Sequence, residues 1–189
     1  MFTRISIIVL SASVFFTLTL DNVFASFIDH PVHSDKWTDK YDRHFKKYSK
    51  RYFGPLFDWH WFKAQAIAES ALSHDAESHV GARGLMQIMP ATFDEINKAN
   101  PHFSKLESPK WNIAAGIYYN RTLYRKFKKT PAQDKLYMTF ASYNAGYGRI
   151  LNASKRVGSE EKNWEEIKPY LPKETQGYVK RIRKLMGES

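Results

Sequence analysis

Residues 66–92 read AIAESALSHDAESHVGARGLMQIMPAT, and the rest of the chain is organised around them. The apolar pair Ile67-Ala68 delivers a single carboxylate, Glu69, at what reads as the end of a buried helix. A polar loop follows, then Gly81-Ala82-Arg83-Gly84, then the apolar run Leu85-Met86-Gln87-Ile88-Met89, closed by Pro90. Burial raises the pKa of a carboxyl, and the negative C-terminal end of a helix dipole raises it further. An acid held protonated near neutrality can protonate a leaving oxygen, so Glu69 is the candidate general acid and base. Gly81 and Gly84 let backbone pass close to other groups. Gln87 is an amide inside an apolar run, and a buried amide must find hydrogen-bond partners.

Outward from this stretch the pattern is helical. Asp58 is placed to cap a helix over 59–71 that carries Trp59, Phe62, Ala66 and Glu69 on or near one face. Residues 72–80 lack a period and read as a loop, with Asp75 and Glu77 as solvated acids rather than a second catalytic carboxylate. Pro90 suits the first turn of a short helix over 91–99. Residues 111–127 form a strong helix with Ile113, Ile117, Leu123 and Phe127 on one face, and Ala114-Ala115-Gly116 allowing close packing. Thr130-Pro131 opens the next helix, which runs to about Tyr143 and ends at Gly146, a natural C-terminal cap. Short helices are expected over 147–157 and 164–170 around a polar turn at 158–163. A last helix over 174–186 turns Val179, Ile182 and Met186 inward. No run alternates well enough to predict a strand, so the expected fold is all-α or nearly so.

The N-terminal residues 1–25 read as a secretory signal peptide: Arg4 in the n-region, an apolar stretch over 5–20, and Val23-Phe24-Ala25 before the cut. The apolar stretch is shorter than the ~20 residues a spanning helix needs, which favours cleavage over an anchor. The reading predicts export, with no transmembrane anchor after cleavage. Residues 26–57 are read as a leader and a basic amphipathic helix, and 58–189 as the catalytic domain. Residues 26–35, with His30 and His33, are expected to be a flexible leader; two histidines without a third ligand assign no metal. In residues 36–52, Trp37, Tyr41, Phe45, Tyr48 and Tyr52 recur at helical spacing between six basic residues. That pattern suits a membrane or wall surface; packing of the aromatics on the domain is the favoured reading.

The formal net charge is +10, and it stays +10 after cleavage because the first 25 residues contain one Arg and one Asp. A basic exported chain suits an anionic polymer. No helix-turn-helix, zinc-finger or other nucleic-acid motif is present, so nucleic acid is not an expected partner. The chain has no cysteine, which excludes disulfides, Cys-based metal sites and an N-terminal lipid on cysteine.

Four ordered motifs carry a resemblance. Glu69-Ser70 with Ser78 and Gly81 to Gln87, then Met89-Pro90-Ala91-Thr92, is followed by Asn112-Ile113-Ala114-Ala115-Gly116, Ser142-Tyr143-Asn144-Ala145-Gly146, and Glu174-Thr175 with Tyr178-Val179. Together they resemble the signature of the soluble-type lytic transglycosylases of the goose-lysozyme-like superfamily, over residues 59–186. The resemblance implies a compact lysozyme-like lobe with a substrate cleft across Glu69. It implies peptidoglycan glycan strands as substrate, in the periplasm or cell wall, and no metal or organic cofactor. Glu69 is then the catalytic acid. Ser78, Gln87, Met89, Tyr143, Asn144, Glu174 and Tyr178 are expected to bind substrate, with Ser70 supporting from behind. A lysozyme-type hydrolase on the same fold and a non-catalytic peptidoglycan-binding protein are the alternatives. Wall-spanning secretion or conjugation machinery is a partner the resemblance leaves open.

Overall fold

The computed structural model describes residues 31–158 and 163–188; the signal peptide reading, the start of the leader and most of the 158–163 turn lie outside them. Among the described residues there are eight α-helices: α1 (Asp42–Phe53), α2 (His60–Ser70), α3 (Pro90–Ala99), α4 (Pro109–Tyr124), α5 (Ala132–Ala145), α6 (Tyr147–Lys155), α7 (Trp164–Ile167) and α8 (Lys173–Leu185). No strand forms among them; the loop after α2 contributes only isolated bridges, Glu77 with Arg83 and Arg83 with Ile88. The all-α expectation therefore holds. Among the described residues no helix is long and apolar enough to cross a membrane.

The middle of the molecule is built on α4 and α5. Helix α4 packs against α1, α3 and α5, and α5 also packs against α6, α7 and α8. Ile113, Ala114, Ala115 and Ile117 of α4 and Phe140 and Ala141 of α5 are wholly buried. Each fully buried large apolar side chain contributes about 1.5–3 kcal/mol relative to leaving it in water. Gly116 is required by this packing, because a Cβ there would lie 2.8 Å from the Met86 side chain.

The aromatic period over 36–52 is a core period. Tyr41, Phe45 and Tyr48 are buried, and Tyr52 meets Tyr118 of α4 edge-on with ring centroids 5.4 Å apart. Lys63, buried within α2, reaches Asp42 of α1 at 2.9 Å and ties the two helices together. The helix begins at Asp42 rather than near residue 36, because the Ser34 and Thr38 hydroxyls accept the Lys36 and Lys40 N–H groups in turns.

Two other expectations are corrected. The described part of the leader is not loose: Pro31–His33 forms a 3₁₀ turn against α2 and α8, and Val32 is fully buried. Helix α4 stops at Tyr124, because Lys126 and Phe127 donate to the Leu123 and Tyr124 carbonyls three residues back and tighten the chain into a turn. That turn sets Phe127 edge-on to Tyr147 of α6.

Candidate active site

Helix α2 ends abruptly after its acid. Ala71 and Leu72 both adopt left-handed backbone conformations, φ +53° and +63°, so the chain leaves the helix one residue past Ser70. Such conformations cost roughly 1–3 kcal/mol each in a residue with a side chain. They hold Glu69 in the last turn, half-buried, with Ser70 pointing its hydroxyl at the Leu85 carbonyl at 2.9 Å. Ser70 thereby binds the end of α2 to the glycine-rich return.

The return is shaped by a residue far away in sequence. Asn112 of α4 donates to the Arg83 and Leu106 carbonyls at 2.9 and 3.1 Å, and its oxygen accepts the Met86 N–H at 2.8 Å. Gly84 is needed here twice over. Its φ is +75°, and a Cβ would lie 2.5 Å from the Asn112 side-chain nitrogen. Gln87, itself at φ +44°, donates its amide to the Ala76 and Gly84 carbonyls at 3.1 and 3.0 Å. Ser78 accepts the Ala82 N–H at 2.9 Å. Ser78 and Gln87 therefore hold the loop in shape, while the neighbouring Met89 is 40% exposed.

Two tyrosines converge on the acid from other helices. Tyr178 of α8 donates its hydroxyl to Glu69 Oε1 at 2.5 Å. Tyr143, near the end of α5, donates to the Met86 carbonyl at 2.8 Å and meets Tyr119 edge-on. Burial pushes the Glu69 carboxyl up from 4.5 to about 7, and the Tyr178 hydrogen bond opposes that rise. Burial first, and then the charge of Glu69, hold both phenols well above their usual value of 10. Both tyrosines are thus permanent hydrogen-bond donors beside a carboxyl poised near neutrality, the property a group needs to act as acid and base in turn. Arg181 of α8 reaches the Ala68 and Ile67 carbonyls at 3.4 and 3.3 Å. A cation at that end of α2 offsets the negative pole of the helix, so burial is the dominant cause of the raised value.

The remaining expected residues lie apart from this cluster's hydrogen bonds. Asn144, exposed after Tyr143, accepts the Thr175 hydroxyl at 2.9 Å and links α5 to α8. Asn144 and the exposed Glu174 line a small polar hollow of about 240 Å³ together with Arg149. A larger hollow of about 540 Å³ lies between α7 and α8, and Glu69 does not line it.

Over residues 45–165 the sequence matches the Transglycosylase SLT domain. The chain belongs to that family. Among curated proteins it is similar to the membrane-bound lytic murein transglycosylase F of Histophilus somni, 34% identical over 127 residues, covering 65% of this chain and 25% of the relative. The protein of the same name in Actinobacillus succinogenes is 34% identical over 142 residues, covering 73% of this chain and 27% of the relative. Among solved structures it is similar to the 70 kDa soluble lytic transglycosylase of Escherichia coli, with a TM-score of 0.68, 27% identity, and coverage of 91% of this chain and 27% of that one. An inactive mutant of the lytic transglycosylase Slt from Pseudomonas aeruginosa gives a TM-score of 0.65 at 25% identity, covering 78% of this chain and 23% of that one. The chain spans about a quarter of the length of these relatives. The helical lobe agrees with the expectation from sequence.

Gln65, Asn120 and Arg181, all in contact with the acid's surroundings, were not predicted. Gln65 and Asn120 are fully buried amides on otherwise apolar helix faces. That placement was the available signal, the same one that singled out Gln87.

Proposed function

We propose that this SLT-family chain is a peptidoglycan lytic transglycosylase that cleaves the β-1,4 bond between N-acetylmuramic acid and N-acetylglucosamine, with Glu69 as its single acid and base. The observation that carries the reading is a half-buried carboxyl raised to about 7 and held by a tyrosine that donates to it. In the protonated state Glu69 gives its proton to the bridging oxygen as the C1–O bond breaks. The substrate's own N-acetyl group stabilises C1, because no second carboxylate is assigned there. The Glu69 carboxylate, stabilised by the Tyr178 O–H, then takes the proton of the muramic C6 hydroxyl. The C6 oxygen bonds to C1 and the product is a 1,6-anhydro sugar. No water is consumed, and no metal or organic cofactor is needed.

In this reading Tyr143 stands beside the reacting ring, and Asn144, Glu174, Met89, Gln87 and Ser78 border the glycan strand. The substrate reaches Glu69 through a cleft crossing the end of α2. Residues 1–25 direct export to the periplasm or cell wall and are removed. A secretion or conjugation apparatus crossing the wall would be served by such a local cutter.

The test is digestion of purified peptidoglycan by the chain and by Glu69→Gln, with products weighed by mass spectrometry. Anhydro-muropeptides from the first and none from the second are expected. Reducing muropeptides, heavier by one water, would instead make it a lysozyme-type hydrolase. Binding without any product from the wild-type chain would make it a peptidoglycan-binding protein.

A further inference from the structure

Behind Tyr178 lies a line of buried amides that the reaction as proposed does not use. Gly116 of α4 presents its backbone carbonyl to the side-chain nitrogen of Asn120 at 3.0 Å. The same Asn120 nitrogen donates to Gln65 Oε1 of α2 at 2.7 Å. Gln65 Nε2 donates to the Tyr178 oxygen at 3.1 Å, and Tyr178 donates to Glu69 Oε1 at 2.5 Å. Gln65 and Asn120 are both wholly excluded from solvent.

The direction of each amide bond in this line is forced. A backbone carbonyl can only accept, so Asn120 must turn its NH₂ group toward Gly116 and Gln65. Gln65 must then present its oxygen to Asn120 and its NH₂ group to Tyr178. An amide N–H can only donate, so the Tyr178 oxygen accepts there and its own hydrogen is left for Glu69. Oε1 is occupied by that donor, which leaves Oε2 as the oxygen free to carry a proton.

We propose that Gln65, oriented by Asn120, is a positioning residue that locks the Tyr178 hydroxyl as a donor and so fixes which Glu69 oxygen holds the catalytic proton. This rests on the transglycosylase reading for its consequence but not for its geometry. A Tyr178 freed from Gln65 could rotate its O–H or accept from Glu69, and the proton would be shared between the two carboxyl oxygens. The hydrogen bond from Gln65 also polarises the phenol and strengthens its donation to the carboxylate. The groups facing Glu69 are Tyr178 from α8 and Tyr143 from α5, with Arg181 of α8 held by the Ala68 and Ile67 carbonyls beside it, and Gln65 acts through Tyr178.

The experiment is a double-mutant cycle on the full chain with Gln65→Leu and Tyr178→Phe. The Glu69 carboxyl is followed by ¹³C NMR titration, and product release is measured in parallel. Gln65→Leu is expected to raise the Glu69 midpoint by about half a pH unit or more and to lower kcat about tenfold with KM little changed. In the Tyr178→Phe background the same change is expected to add no further shift. An unshifted midpoint in folded Gln65→Leu, or the same shift with and without the Tyr178 hydroxyl, overturns the proposal. If Gln65→Leu does not fold, Gln65→Met, which refills the volume with a flexible side chain, carries the same cycle. A wild-type chain that releases no product overturns the functional reading, yet the titration still decides the relay.

Discussion

Replacing Glu69 by glutamine should make the protein more stable, and only above about pH 4.5. The folded-state carboxyl sits at about 7 against an ordinary 4.5, with burial as the cause. The folded protein therefore holds a proton that the unfolded chain has already released between those two values. A raised acid contributes no penalty below about 4.5, loses stability as pH rises through that interval, and levels off above 7. At about 1.4 kcal/mol per pH unit the interval amounts to roughly 3 kcal/mol. Glutamine has nearly the same shape, can still accept the Tyr178 hydroxyl, and carries no charge at any pH. The contributions of the other titrating groups cancel between the two proteins. Urea denaturation of wild type and Glu69→Gln at pH 4 and pH 8 should give equal stabilities at the lower pH and a variant about 3 kcal/mol more stable at the higher. A difference that does not change with pH would refute the assignment of the raised value to a buried Glu69. A less stable variant at pH 8 would show that the charged form is stabilised in place.

Two further perturbations test how the site is held. Gly84→Ala should destabilise by about 2 kcal/mol or more, since the new Cβ meets the Asn112 side chain at 2.5 Å and the backbone stands at φ +75°; chemical denaturation measures it, and an unchanged midpoint would mean the loop is not seated on Asn112. Asp42→Ala leaves Lys63 buried without its partner at 2.9 Å and should cost about 3 kcal/mol, most of it recovered when Lys63→Met is added; failure of the second change to recover stability would locate the effect outside the ion pair.

The helices were legible because their information is local. Aromatic spacing over 36–52 marks α1, Pro90 marks the start of α3, and Gly146 closes α5, where its N–H reaches the Ser142 carbonyl at 2.9 Å. Glu69 was legible for a similar reason, as a lone acid at the end of an apolar helix. The partners of Glu69 were less so. Tyr178 lies 109 residues away and was reached through the family resemblance, not through any periodicity. The shape of the 71–89 loop depends on Asn112, whose three bonds to Arg83, Leu106 and Met86 leave no trace in the loop's own composition. Gln87 illustrates the limit from the other side. Its place in an apolar run correctly implied hydrogen-bond partners, yet nothing local said that these would be the Ala76 and Gly84 carbonyls.

The site is expensive to build, and its cost explains where it sits. Ala71, Leu72 and Gln87 occupy left-handed backbone conformations, at roughly 1–3 kcal/mol each. A carboxyl is half-buried and two amides are wholly buried. The acid's surroundings are tied to α4 and α8: Asn112 and Asn120 project from α4, and Tyr178 and Arg181 from α8. Helix α4 lies against α1, α3 and α5, and α8 against α2 and α5, so distortion of the site must move packed core. The raised acid is thus a property of the assembled lobe rather than of the segment that carries it. A fragment holding residues 59–92 alone would return Glu69 to water and to an ordinary carboxyl.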